Sequence, residues 1–331
     1  MRVIAIYVCV VILAAPVYQG VRHTTYAAAS WDKEPIIPIP HATEVGTAKV
    51  VLGEKLFHDP RLSHANAIAC ATCHRLAQGG DDDLPLARGA DGALYSRNTP
   101  TIFNVALNSR YRWDGAVRTL EAEAEATLHS PAMMNTSWPE LLTKLRADPD
   151  YVAAFNAAYP DGLTQEHVLD ALTAYVRSLL TPNARFDQYL RGQHQALTAA
   201  EQRGYQLFKA YGCAACHQGV NVGGNIFQKF GIFRGDSAPR DDDDLGRFTV
   251  TGVARDRYVF RVPSLRNVAV TAPYYHDGRV EALETAVDLM AKRQLGTALS
   301  AEEINLIVQF LHTLTGEYRG RSLALPAKET P

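Results

Sequence analysis

The chain has 331 residues, 47% of them hydrophobic and 21% charged, and a formal net charge of −2 at pH 7. These values suit a globular protein with room for two domains of ordinary size. They exclude the basic excess of a nucleic-acid binder.

The first residues predict a signal peptide over 1–29. Arg2 supplies the positive start, Val3 to Ala15 the apolar core, and "YAAAS" at 26–30 the small residues for cleavage near Ala29. The apolar run is too short for a comfortable membrane span. The long stretch from Pro16 to Ala28 keeps an uncleaved anchor as the alternative. No later segment is apolar enough to cross a bilayer, so the expected location is the periplasm.

Two motifs organise the rest of the chain. "CATCH" at 70–74 returns as "CAACH" at 213–217. Of the five cysteines, Cys9 lies in the leader, and Cys70, Cys73, Cys213 and Cys216 all belong to these motifs. Two thiols at this spacing match the two vinyl groups of a haem, and the adjacent histidine is placed as an axial iron ligand. Cys70, Cys73 and His74 are therefore assigned to one c-type haem, and Cys213, Cys216 and His217 to a second. A dithiol redox pair would need a surrounding βαβ pattern, which is missing. A zinc site or a disulfide would leave the repeated histidine unexplained.

In chain order, "DDD" at 81–83 reads as a solvated loop, as does "DDDD" at 241–244. Their functional alternative is electrostatic steering of a basic electron-transfer partner. "TQEHVLDALTAYVRSLL" from Thr164 predicts an amphipathic helix stopped by Pro182. Thr198 to Glu201 is a capping box opening a helix toward Cys213, and Ser300 to Glu303 opens another. "RFTVTGV" at 247–253 is the best strand signal. The expected fold is mainly α: two cytochrome c-like domains, each around one covalently bound haem, spanning 30–190 and 191–331.

Several long stretches carry a resemblance: "LGEKLFHDPRLS", "CATCHRLAQGGDDDLP", "RNTPTIFNVALNSRYRWDG", "GCAACHQGVNVGGNIFQKFG", "DLGRFTVTG", "FRVPSLRNVAVTAPYYHDG" and "AVDLMAKRQLG". The chain resembles the bacterial di-haem cytochrome c peroxidases and their MauG-type relatives over nearly all of its mature length. The resemblance implies a peroxidatic haem on His74 and an electron-transfer haem held by His217 and Met290. His/Met ligation raises a reduction potential, which suits an electron entry point. By itself, a methionine on a predicted helix is more often core packing. The resemblance also makes Trp113 an electron relay between the haems. It makes Asn98, Thr271 and Pro273 ligands of a calcium ion between the domains, through oxygens that are partly backbone carbonyls.

The sequence departs from that pattern twice. Met133, in "LHSPAMMN", stands where the family usually has a distal glutamate, and a thioether cannot move a proton. Glu123, in "TLEAEAEA", stands at a glutamine position and is the first candidate to replace it; His129 is the second. The plain alternatives are an exposed helix residue for Glu123 and a capping or packing role for His129. The loop "LARGADGALYSRN" has Ala90 where many members place a histidine that closes the peroxidatic haem. The expectation is a first haem with no protein sixth ligand at rest; trapping of a distant histidine such as His58 or His64 would overturn it.

The function expected is a periplasmic peroxidase that reduces hydrogen peroxide to water. Its electrons would come from a small cytochrome c or a copper protein. Met290 favours it, because the MauG branch has tyrosine there. The runner-up is a MauG-like enzyme that oxidises Trp or Tyr of a protein substrate, with Tyr274 and Tyr275 as candidate exit points, although packing is the more common role for such residues. A non-catalytic di-haem electron carrier is the third. Homodimers are common in the family; the sequence shows no interface signal of its own.

Overall fold

The computed structural model describes residues 34–41, 47–89, 92–233 and 244–324. The leader, the loop position Ala90 and Asp241 to Asp243 lie outside these residues. The described chain is mainly helical. The first half holds α1 (Ala48–Phe57), α2 (Cys70–Cys73), α3 (Leu120–His129), α4 (Trp138–Arg146), α5 (Pro149–Ala158) and α6 (Gln165–Ser178). The second holds α7 (Arg185–Leu190), α8 (Ala199–Ala210), α9 (Phe248–Thr251), α10 (Leu283–Met290) and α11 (Ala301–His312). Two short strands, β1 (Phe227–Lys229) and β2 (Val259–Arg261), pair antiparallel with Phe227 opposite Arg261. No helix among the described residues is long and apolar enough to cross a membrane.

Side-chain caps start the long helices where the sequence predicts. Thr164 accepts from the His167 amide at the head of α6, and Thr198–Glu201 and Ser300–Glu303 form reciprocal capping boxes on α8 and α11. The strand expected at 247–253 is instead the single turn α9, closed by Gly252 in the left-handed region at φ 67°. Tertiary contact decides it: the Arg257 guanidinium lies 4.1 Å from the Phe248 ring centroid and folds the segment back.

Each half has its own core. Leu56, Phe57, Leu141, Tyr151, Phe155, Val168 and Tyr175 are buried together in the first. Phe186, Leu190, Tyr205, Phe208, Ile307, Phe310 and Leu311 fill the second. Phe186 and Leu190 thus pack beyond the boundary expected at 190. The Phe186 ring meets Tyr205 at 4.7 Å and Phe310 at 5.0 Å, so α7 joins the second half. The first and last described segments cross over. Ile36 packs in the second core, while Tyr318 and Leu323 pack on the first.

The two halves repeat one construction. Gly53 in α1 lets that helix touch α6, because an added Cβ would lie 1.9 Å from the Ala171 carbonyl oxygen. Gly204 in α8 does the same against Leu306 of α11, again at 1.9 Å. Past the haem motifs the register is constant. Asn104 and Asn267 both turn through the left-handed region, at φ 59° and 61°, and each opens a 3₁₀ turn. Tyr111 bridges to Val117, and Tyr274 to Val280. These pairs are followed at the same spacing by α3 and α10.

Candidate active site

A cleft runs into each half. In the first, α2 and the residue after it bring Cys70, Cys73 and His74 to the wall, and α3 brings Glu123 and Thr127. The His74 Nδ1–H donates to the Gly80 carbonyl at 3.1 Å, which fixes the ring and leaves Nε2 for a metal. Burial pushes the His74 pKa down and keeps the ring neutral, the form that ligates.

Glu123 is held on this wall. The Arg112 Nε–H donates to both of its carboxylate oxygens, at 2.8 and 3.1 Å, and the Thr127 hydroxyl lies 3.4 Å from one of them. Burial raises the Glu123 pKa, and Arg112 opposes that shift. Arg112 itself is pinned at φ 64°, with its carbonyl accepting from the Arg261 Nε–H at 3.1 Å. Met133 lines the same cleft and offers no proton. His129 does not line it. Its Nδ1 bonds the Thr136 carbonyl at 2.7 Å and its ring abuts Trp138, which is a packing role. His58 and His64 do not line it either, and His64 bonds Glu140 at 2.9 Å.

In the second cleft, Cys213 and His217 share the wall with Met290, the last residue of α10. The His217 Nδ1 faces the Val222 carbonyl at 3.4 Å, and burial pushes its pKa down to about 4. A π-helical turn, Ala291–Leu295, follows Met290. Tyr274 and Tyr275 line the cleft but are packed; the Tyr275 hydroxyl donates to the Ala286 carbonyl at 2.7 Å.

Trp113 and Arg261 line both clefts. The Trp113 Nε1–H donates to the Asn98 carbonyl at 2.9 Å, and its ring stands 6.2 Å from His276. Arg261 is 4% exposed, and its Nη1 has no hydrogen-bond partner.

Where the halves meet, Asn98, Thr271 and Pro273 line the second cleft together with Asp81. Here the acidic runs differ from expectation. Asp81 and Asp82 are 2% and 3% exposed, not solvated. Asp82 is held by the Thr99 hydroxyl at 2.7 Å, whereas Oδ1 of Asp81 has no partner. Gly79, at φ 92°, draws this loop inward; a Cβ there would lie 2.3 Å from the Val270 carbonyl oxygen. Asp244, from the second run, is also inside, bonded to Arg97 and His276 at 2.6 Å each. Among the described residues no three His, Cys, Asp or Glu side chains cluster as a metal site. A cation here would rely on amide and backbone oxygens beside the single carboxylate of Asp81.

Residues 47–195 match the family described as di-haem cytochrome c peroxidase. The cytochrome c551 peroxidase of Pseudomonas aeruginosa is 40% identical, over 80% of this chain and 78% of that protein. The chain belongs to the di-haem cytochrome c peroxidase family. The cytochrome c peroxidase Ccp of Escherichia coli is 42% identical over 86% of this chain, which spans 62% of that longer protein. Among solved structures, a MauG-like protein associated with microbial copper homeostasis superposes with TM-score 0.74. It is 31% identical, covering 87% of this chain and 95% of that one.

The clefts fit the family's two haems. The first is lined by Cys70, Cys73 and His74 and the second by Cys213 and His217, each with a mostly apolar wall, while Cys216 Sγ lies 3.9 Å from the Gln228 amide nitrogen. The unpartnered Nη1 of Arg261, buried between the clefts, suits a carboxylate such as a haem propionate. The unpartnered Asp81 oxygen suits a cation at the junction. Arg112, Thr127, Arg261 and Asp81 are the residues that sequence reasoning missed. Only their positions inside or beside recognised motifs mark them in the sequence.

Proposed function

We propose that this chain is a periplasmic peroxidase that takes two electrons and two protons to convert hydrogen peroxide into two waters. The electrons come from a small cytochrome c or a copper protein. The observation that carries this reading is the Arg112–Glu123 pair in the cleft that His74 also lines. When bound, the haems would supply redox-active iron for the reduction of peroxide. His74 and His217 would hold the two haems through neutral imidazoles, and Met290 would add a thioether sulfur in the second cleft.

Glu123 accepts a proton from one peroxide oxygen and returns it to the other, so that this oxygen leaves as the first water when the O–O bond breaks, and the remaining oxygen leaves as the second water after two electrons from the donor and two protons have been added. Arg112 keeps the carboxylate ionised and oriented, and its charge offsets the negative charge developing on the leaving oxygen. Met133 excludes water from the same wall. Trp113 serves as the relay because it borders both clefts. Asn98, Thr271 and Pro273 supply oxygens for a calcium ion, and Asp81 supplies its negative charge.

The second reading is oxidation of a Trp or Tyr of a partner protein. Met133 in place of a distal acid favours it. Stopped-flow mixing of the oxidised protein with peroxide, followed by reduced cytochrome c, separates the two. Rapid repeated oxidation of the cytochrome supports the peroxidase. A long-lived oxidised species that ignores the cytochrome overturns it in favour of the second reading. Failure of the resting protein to bind cyanide or peroxide would leave only an electron carrier.

A further inference from the structure

The repeat between the halves extends into the clefts. Counting on from the matched pairs Asn104/Asn267 and Tyr111/Tyr274, Leu120 of α3 corresponds to Leu283 of α10. Glu123 then corresponds to Ala286, Ala124 to Val287 and Thr127 to Met290. All eight residues line the cleft of their own half. The two helices therefore turn the same face to the same place, and Thr127 stands where Met290 stands.

We infer that Thr127 is the specificity-determining residue that keeps the first haem open to peroxide, by occupying with a short hydroxyl the position from which Met290 closes the second. The inference rests on the assignment of haems to His74 and His217. Methionine carries a soft, long-reaching sulfur that ligates haem iron. Threonine is shorter, branched at Cβ, and a poor ligand when neutral. Its hydroxyl points instead to Glu123, 3.4 Å away. One helix position thus both removes a ligand and supports the proton carrier. The contrast sorts the two haems by task without any difference in the attachment motif.

The test is spectroscopic, on the oxidised holoprotein. The wild type is expected to show one high-spin, cyanide-binding haem and one low-spin haem. Thr127→Met is expected to make the first haem low-spin and to weaken its cyanide affinity by at least about tenfold. Thr127→Leu, of similar bulk but without a ligating atom, is expected to stay high-spin and bind cyanide. Thr127→His supplies a second ligating variant should the methionine form fail to incorporate haem, with the same expected outcome.

A wild type with no high-spin haem overturns the inference. So does a folded Thr127→Met or Thr127→His protein with the wild-type spectrum and cyanide affinity. Equal closure by Thr127→Leu also overturns it, since bulk would then be the cause. Met290→Thr separates the underlying reading. It is expected to open the second haem to cyanide; an unchanged second haem would refute ligation by Met290, whatever Thr127 does.

Discussion

The two halves share a backbone plan but fill it with different side chains, and the differences fall where function divides. Their frames are alike: a glycine-mediated crossing of two helices, a left-handed asparagine, a bridged tyrosine, and a helix along the cleft. On the cleft helix, the first half has Glu123 and Thr127 where the second has Ala286 and Met290. One wall can move a proton and cannot readily ligate iron. The other can ligate and has no proton to move. On the proposed reading, a few residues on one helix face separate catalysis from electron entry.

The largest expected effect comes from that helix. Glu123→Gln is expected to lower peroxide turnover by about 10²–10⁴-fold while leaving cyanide binding at the first haem intact. The pH profile gives a second readout. Glu123 must be ionised to accept a proton, and burial raises its pKa despite Arg112. Turnover should therefore fall on acidification at a pH above the ordinary glutamate range and be restored above it. A Gln variant that retains that acid limb would assign it to another group and break the contrast with Ala286.

The cores offer a second contrast. The register that pairs Asn104 with Asn267 also pairs Phe103 with Arg266, and both are 1% exposed. Phe103 needs only apolar neighbours and lies 5.1 Å from the Tyr318 ring. Arg266 needs compensation at every donor. It bonds Asp187 at 2.7 Å and the carbonyls of Val220 and Ile37 at 3.0 and 2.9 Å. Removing one partner leaves an unpaired buried charge, so Asp187→Ala should cost about 3–5 kcal/mol in chemical unfolding. Loss of much less would mean that the carbonyls alone satisfy Arg266. The same pair ties residues 34–41 to the second half, so they should also become more protease-sensitive.

The shared frame predicts a matched pair of smaller effects. Gly53→Ala and Gly204→Ala each place a methyl group within 1.9 Å of a backbone oxygen. Neither oxygen can retreat without parting two helices, so each change should cost about 1–3 kcal/mol or more. The thermal transition of each half's haem should report its own glycine. If one substitution is silent, the halves are not held alike.

The same physics governs both the legible and the hidden parts of the sequence. The Cys-x-x-Cys-His motifs and the capping boxes are local, so a few adjacent residues define them and the structure reproduces the helices they open. Glu123 is recognisable by its place in a family pattern, but its partner Arg112 is not, because their contact depends on a left-handed turn before Trp113. His129 is drawn away from the cleft by the Thr136 carbonyl and the Trp138 ring, partners beyond the local pattern. The turn at 248–251 escaped because β-branched Thr and Val favour strands until an aromatic–arginine contact overrides them. The link between Thr127 and Met290 needs the alignment of two halves whose haem motifs are spaced differently from their cleft helices.

Asp81 was hidden by the strongest prior of all, that runs of acidic residues are solvated. Three consecutive aspartates divide instead by side: Asp83 is exposed, Asp82 is held by Thr99, and Asp81 faces the junction with one oxygen unpaired. A buried carboxylate without a partner is costly, and a cation bound among nearby oxygens removes that cost. Asp81 comes from the first half, while Thr271 and Pro273 come from the second, so such a cation would join the halves. Calorimetric titration of calcium into chelator-treated holoprotein should therefore show affinity about tenfold weaker in Asp81→Asn, because ligand charge tunes calcium affinity. Asparagine keeps the shape and removes only the charge. Unchanged affinity would show that Asn98, Thr271 and Pro273 suffice, with Asp81 kept neutral by the burial that pushes its pKa up to about 8.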